Sequence, residues 1–283
     1  MTGVVAALGA ALAWTSASAL WRSLTRVGPA VQLNCLKNSL ATVLFLPILL
    51  LLPWSRFPID SLLLLASGII GIALGDSFYL AALRRLGTRR TLTVEAIGPV
   101  LASLGTVTLA RESLTSQAWI GAALVTTAVL LIAWPDGSEN QNSFNGAGLL
   151  CSLMAVICGL SGAFLARQVL VGGDLSALQS AAIRLLGGAL VLLPFSAGAW
   201  RKLPSQPAAI NARLVIATVL GTNLGIGLQQ VVFQQLPVGP GVTLMSTAPV
   251  MALVAARFEG DSLQPRGVGA ALLAVAGVAF TTL

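Results

Sequence analysis

Histidine is absent from this 283-residue chain, and tyrosine occurs once, at Tyr79. Without imidazole there is no Ser-His relay and no histidine metal site, and the scattered acids show no ligand spacing. The three cysteines, Cys35, Cys151 and Cys158, have neither redox nor metal spacing and read as small packing residues. No glycine-rich phosphate loop is written anywhere, which points to gradients rather than ATP as an energy source. An intramembrane aspartyl protease fits poorly too: Ala73-Leu74-Gly75-Asp76 lacks the first glycine of a GxGD pattern, and the other aspartates fall in expected loops. Charge is the scarcest property of all. Charged residues make up 9% and hydrophobic residues 56%, against about 25% and about 45–50% in soluble domains. No enzyme activity, cofactor or metal is expected.

A chain with so little charge lacks the polar surface of a soluble globule, whereas a bilayer is apolar solvent that helices of about 20 residues can cross with their backbone satisfied. Ten such stretches are expected, near 4–22, 31–52, 61–83, 91–110, 117–134, 147–168, 176–197, 211–235, 238–258 and 266–282. Breakers separate them, among them Gly28-Pro29, Pro53 with Pro58, Pro204 with Pro207, and Pro237 with Pro240. Ala17-Ser18-Ala19 resembles a signal-peptide cleavage site, but no Lys or Arg precedes it and Trp14 interrupts the apolar run, so a first membrane span is expected.

The chain is also written twice. Arg22, Lys37, Pro47, Gly71, Gly75, Pro99-Val100, Ser113-Leu114 and Gly121 to Leu124 recur as Arg167, Arg184, Pro194, Gly221, Gly225, Pro249-Val250, Ser262-Leu263 and Gly269 to Leu272. The offset runs from 145 residues (22 to 167) to 150 (99 to 249). Each copy holds five apolar stretches, and an odd number makes the second copy lie upside down, as in carriers that alternate access. The expected layout is all-α: a first repeat over 1–135, a polar linker over 136–146, and a second repeat over 147–283.

The net charge of +7 comes from basic residues thinly spread at stretch ends, which does not fit nucleic-acid binding. Trp54, Trp119, Trp134 and Trp200 sit where an indole would meet head groups. Loops after odd-numbered stretches hold Arg22, Arg26, Arg84, Arg85, Arg89, Arg90, Arg201, Lys202, Arg213, Arg257 and Arg266; even loops hold Arg56, Arg111 and Arg167. By the positive-inside rule this places both termini outside.

Ionisable groups inside a bilayer cost about 2.5–3.5 kcal/mol each and seldom face lipid. Lys37, Asp76 and Glu95 fall at a shared depth, roughly 8–12 Å below the odd-loop face at 1.5 Å rise per residue. One cation and two carboxylates there leave a carboxylate free to carry a proton, although Glu95 has an alternative as a partner of Arg89 or Arg90. Asp76, Tyr79 and Leu83 share a helical face. The second copy answers with amides: Asn223, Gly227, Gln230 and Gln234 recur at i, i+4, i+7 and i+11, beside Gln229 and at the depth of Arg184. They suit a polar or anionic substrate group, or interhelical bonding. Asn34, Lys37, Asn38 and Ala41 form a comparable stripe whose loop end also reads as a solvated helix start. Trp14, Ser18 and Trp21 line a face that is either a substrate wall or packing. Gly71 to Gly75 and Gly221 to Gly225 allow close helix approach at the interface of the halves, and Pro99 and Pro249 are candidate hinges.

The run Gly75-Asp76-Ser77-Phe78-Tyr79-Leu80-Ala81-Ala82-Leu83-Arg84-Arg85-Leu86-Gly87, then Glu95 to Val100, Arg111 to Leu114 and Gly121 to Leu124, resembles the EamA-type repeat of the drug/metabolite transporter superfamily. The second copy matches more loosely at Gly225, Pro249-Val250, Glu259 to Leu263 and Gly269 to Leu272. The resemblance implies a ten-helix secondary carrier with a central cavity between inverted halves, moving small metabolites or toxic compounds, often outward. The mixture of carboxylates, amides and Arg184 suits amino acids, other zwitterions or polar drugs, and the inner membrane is the expected location. The resemblance also implies both termini in the cytoplasm, against the count of basic residues. The expected partners are a small-molecule substrate, protons and the lipid bilayer, with no nucleic acid and a monomer as the working unit. A passive channel is the alternative reading, and a membrane scaffold a more distant one.

Overall fold

The computed structural model describes residues 1–24, 30–133, 145–195, 207–251 and 265–283. Linker residues 136–144, Gly28-Pro29, Pro204, Trp134, Trp200, Arg26, Arg201, Lys202, Arg257 and Glu259 to Leu263 lie outside them, as do the side chains of Ser18, Arg22 and Arg89. Among the described residues every regular element is helical. In chain order they are α1 (Thr2–Leu24), α2 (Ala30–Leu44, followed by a short helix Leu46–Leu50), α3 (Pro58–Gly87), α4 (Arg90–Thr108) and α5 (Ser116–Ala133). Then come α6 (Gly146–Gly172), α7 (Ala177–Phe195), α8 (Ala208–Gln235), α9 (Val238–Met245) and α10 (Pro265–Thr282). Seven of these, α3 to α8 and α10, are long and apolar enough to cross a membrane.

Helix starts follow local chemistry. Pro58, Pro207, Pro237 and Pro265 stand at or just before the first turns of α3, α8, α9 and α10, where a missing N–H is harmless. Asn145 caps α6 by accepting from the Gly148 N–H at 2.9 Å. Ser176 and Gln179 close a reciprocal capping box on α7. Trp54, expected to turn its N–H to head groups, instead donates it to the Leu49 carbonyl at 3.0 Å, closing the end of the short helix.

The packing is pairwise and reciprocal. α3 packs on α6 and α7, while α8 packs on α1 and α2; α4 packs on α9 and α5 on α10. Exchanging the first five helices for the last five returns the same set. Glycines set how near these pairs come. A Cβ on Gly162 would lie 2.9 Å from Gly71 Cα, and one on Gly225 2.5 Å from the Trp14 indole nitrogen. Each GxxxG element therefore lies against the first helix of the other half rather than against its own copy.

π-helix covers the first GxxxG element and all but the last glycine of the second, as Ile69–Gly75 in α3 and Val219–Leu224 in α8. The 3.6-residue period used to read the sequence breaks at these two places. A π-turn inserts a residue and rotates everything after it, so it sets the direction in which Asp76 points. α4 and α9 are interrupted too: Ala96-Ile97 and Ser246-Thr247 are turns, and Pro99 and Pro249 lie in the helix that follows each. Gly87 sits at φ 76°, a left-handed backbone that ends α3 and favours glycine there.

Gly68 faces the backbone of α7, where an added Cβ would lie 1.9 Å from the Arg184 carbonyl oxygen, whereas Gly159 and Gly269 have open space. Gly68→Ala is expected to lower stability by about 1–3 kcal/mol. Gly159→Ala and Gly269→Ala are expected to be neutral or stabilising. Thermal unfolding in detergent compares the three.

Candidate functional site

α2 presents its polar stripe inward over its whole length. Asn34 and Asn38 are fully buried, so Asn34 is not a solvated helix start. Its amide donates to the carbonyls of Ile72 (3.1 Å) and Ala73 (3.3 Å) and to Ser77 Oγ (2.9 Å). Those carbonyls belong to the π-segment of α3. Asn38 in turn donates to Asn34 Oδ1 at 2.8 Å. The second π-segment is held likewise: Trp14 Nε1 donates to the Gly221 carbonyl at 2.9 Å, and Asn223 to the Ala41 carbonyl at 3.0 Å. Trp14 is thus a packing and bonding residue of the α1–α8 contact, and Trp21 sits beside the same Gly221.

Next to these supports lie the charges. Lys37 Nζ donates to Asp76 Oδ2; their side chains are 14% and 35% exposed. Asp76 also acts electrostatically on Tyr79, on Glu95 and on Arg184. Side chains from α2, α3, α4 and α7 thus share one field, centred on Asp76. Tyr79 is half-buried on α3, three residues along from Asp76, and its hydroxyl makes no hydrogen bond among the described residues. Glu95 is half-buried where α4 breaks, with neither an ion pair nor a hydrogen bond among the described residues. No pairing with Arg90 is formed.

Arg184 is 3% exposed. Its Nη1 donates to Gln229 Oε1 at 3.2 Å, and its Nε has no partner. Its guanidinium lies over Gly71, in the π-segment of α3. Gln230 is fully buried, accepting from Ser180 Oγ at 3.0 Å, with its Nε2 unpartnered. The amides expected to form one stripe divide: Asn223 bonds α2, Gln229 and Gln230 face α7, and half-buried Gln234 makes no hydrogen bond among the described residues. Asn223 belongs to the π-segment, so the helical spacing does not carry through it.

A second ionic centre was missed in the sequence. Arg167 of α6 grips Glu112 through Nε (2.8 Å) and Nη2 (2.9 Å), and its Nη1 donates to the carbonyls of Phe233 (2.7 Å) and Leu236 (2.6 Å) at the end of α8. Glu112 follows Arg111, whose φ of 54° is unusual for a residue with a Cβ. Nearby, Thr106 Oγ1 accepts from the Gly239 N–H at 2.9 Å. The Glu112 end of the bundle is therefore clamped across the two halves. Arg56 and Asp174 lie 3.4 Å apart and exposed. The signals available in the sequence were the recurrence of Arg22 as Arg167 and of Glu112 as Asp261 before the repeated Ser-Leu pairs.

Glu112→Gln leaves Arg167 without its carboxylate and is expected to cost about 1–3 kcal/mol. Arg56→Gln, at an exposed pair, is expected to cost less than about 1 kcal/mol. Thermal unfolding of the two variants checks the difference.

The model of the EamA-like transporter family matches twice, over residues 1–134 and 146–283. The crystal structure of a protein 16% identical superposes with a TM-score of 0.77, covering 99% of this chain and 96% of its own. At that identity the likeness speaks for the fold alone. No curated protein matches the chain. Matched by its family model over both halves and built of long apolar helices, this multi-pass membrane protein belongs to the EamA-like transporter family, a family of small-molecule transporters.

Proposed function

We propose that the chain is a gradient-driven carrier of small organic molecules, built of ten spans in two inverted five-helix repeats, working as a monomer in the inner membrane. Reciprocal packing of the helices supports the two-repeat reading, as do π-segments and interrupted helices at equivalent positions in both copies. Alternation between two sides follows from such a design if the halves exchange conformations. Pro99 and Pro249, beside the interruptions of α4 and α9, are the places for bending.

The observation that carries this reading is the cluster of Lys37, Asp76, Glu95 and Arg184. Two cations and two carboxylates balance formally, so the cluster does not burden the bilayer with net charge. Asp76 is neutralised by Lys37. Glu95, with no partner among the described residues, is the better proton carrier. Tyr79, beside Asp76 and Glu95, and Gln229, on Arg184, add hydrogen-bonding groups to these charges, and Gln230 and Gln234 add further amides along α8, a mixture suited to zwitterions such as amino acids, or to polar drugs. Outward movement follows the family resemblance. Saturable exchange separates a carrier from a channel.

In proteoliposomes, labelled substrate found by thermal-stabilisation screening of amino acids, other metabolites and polar drugs is expected to exchange against unlabelled substrate and to saturate. Glu95→Gln is expected to retain that exchange and to lose accumulation driven by a pH gradient, by about tenfold or more. Unsaturable flux would sink the carrier reading, and intact pH-driven accumulation in Glu95→Gln would sink the role of Glu95.

A further inference from the structure

We propose that Asp76 is handed between two cations as the protein changes the side to which it opens: Lys37 of the first copy holds it in the conformation seen here, and Arg184 of the second copy takes it in the opposite one. The inference rests on the carrier reading above and adds the switch that separates its two states.

Four observations carry it. Lys37 and Arg184 occupy equivalent positions of the two copies, 147 residues apart (37 to 184). Asp76 has no acidic counterpart, since Ile226 stands at its equivalent position. One carboxylate therefore serves two related cations. Asp76 bonds Lys37 through Oδ2, and its Oδ1 accepts no hydrogen bond among the described residues. Arg184, almost wholly buried, lies over Gly71 about one turn before Asp76 on the same helix, within reach of the Asp76 charge, and its Nε is unpartnered. A buried guanidinium held by one amide oxygen is undersatisfied.

Inverted repeats supply the frame for such an exchange. If the halves exchange conformations, Lys37 comes to stand toward Asp76 as Arg184 stands toward Ile226 here, so the pairing seen at Lys37 is the one expected to open. Arg184 is the cation placed to receive Asp76. The π-segment between Gly71 and Asp76 is where α3 can rewind, and one turn of rewinding redirects every side chain beyond it.

The conformation seen here is clamped at the Glu112 end, where Val238 is fully buried at the start of α9. Cys35, Cys151 and Cys158 are replaced by alanine, Val238→Cys is introduced, and its rate of modification by a maleimide is measured in detergent. Lys37→Gln is expected to speed labelling on the order of tenfold, and Arg184→Gln to slow it by a similar factor. In an Asp76→Asn background neither is expected to have a further effect. Shifts in the same direction, or shifts that persist with Asp76→Asn, overturn the proposal.

Melting temperatures are taken in parallel, because a loss of folding would speed labelling in both backgrounds. Lys37→Arg and Arg184→Lys keep the charges; the first strengthens the pairing seen here and the second weakens its rival. Both are expected to slow labelling, and acceleration by either overturns the hand-over. Failure of the carrier reading shows separately, as absent counterflow; failure of the hand-over leaves counterflow intact and removes the opposed shifts.

Discussion

Backbone that leaves α-helical geometry inside a bilayer must find its hydrogen-bond partners in protein, and the centre of this molecule is arranged around that requirement. Two segments wind as π-helix, and each borrows donors from a neighbouring helix: the Asn34 amide for Ile72 and Ala73, the Trp14 indole for Gly221. For Trp14 the reach depends on Gly221 and Gly225, which let α1 and α8 close to contact. The same two places where backbone is irregular are where each half touches the first helix of the other. The backbone of these segments thus depends on side chains of neighbouring helices for part of its hydrogen bonding.

Charge obeys a related rule. The intramembrane groups are balanced in number but unevenly paired: Lys37 with Asp76, Arg184 with an amide, Glu95 alone among the described residues. A fully paired cluster would be inert glue. The unpaired members are the costly ones, and their cost is tolerable because opposite charges lie close by. At the Glu112 end Arg167 shows the opposite design, with its donors spread over a carboxylate and two carbonyls that join three segments. That end is held across the two halves in the conformation seen here. The sequence places Arg22 and Asp261 at the positions equivalent to Arg167 and Glu112, so this part of the polar chemistry was duplicated along with the scaffold.

Much of the architecture was legible because it rests on local properties. Apolar length, prolines at helix starts and repeated glycines each act over a turn or two. Seven of the ten expected stretches coincide with described helices long and apolar enough to span, and the second, fourth and ninth are interrupted. The stripe of Asn34, Lys37, Asn38 and Ala41 was legible for the same reason. The helical spacing from Asn223 to Gln234 misled, because a π-turn changes the period and nothing in Val219 to Leu224 announces one.

By itself the sequence determined that this is a helical membrane protein written twice, with Lys37, Asp76, Glu95 and Arg184 as its costly interior charges; composition, periodicity and repetition suffice for that. Partner choice was decided only by the tertiary structure. That Asp76 goes to Lys37, that Arg184 is left with Gln229, and that Glu112 is gripped by Arg167 depend on residues 39, 45 and 55 positions apart in the chain. Such pairings are set by the azimuth of helices packed through glycine contacts and by two π-turns, and neither is a property of any short stretch of sequence.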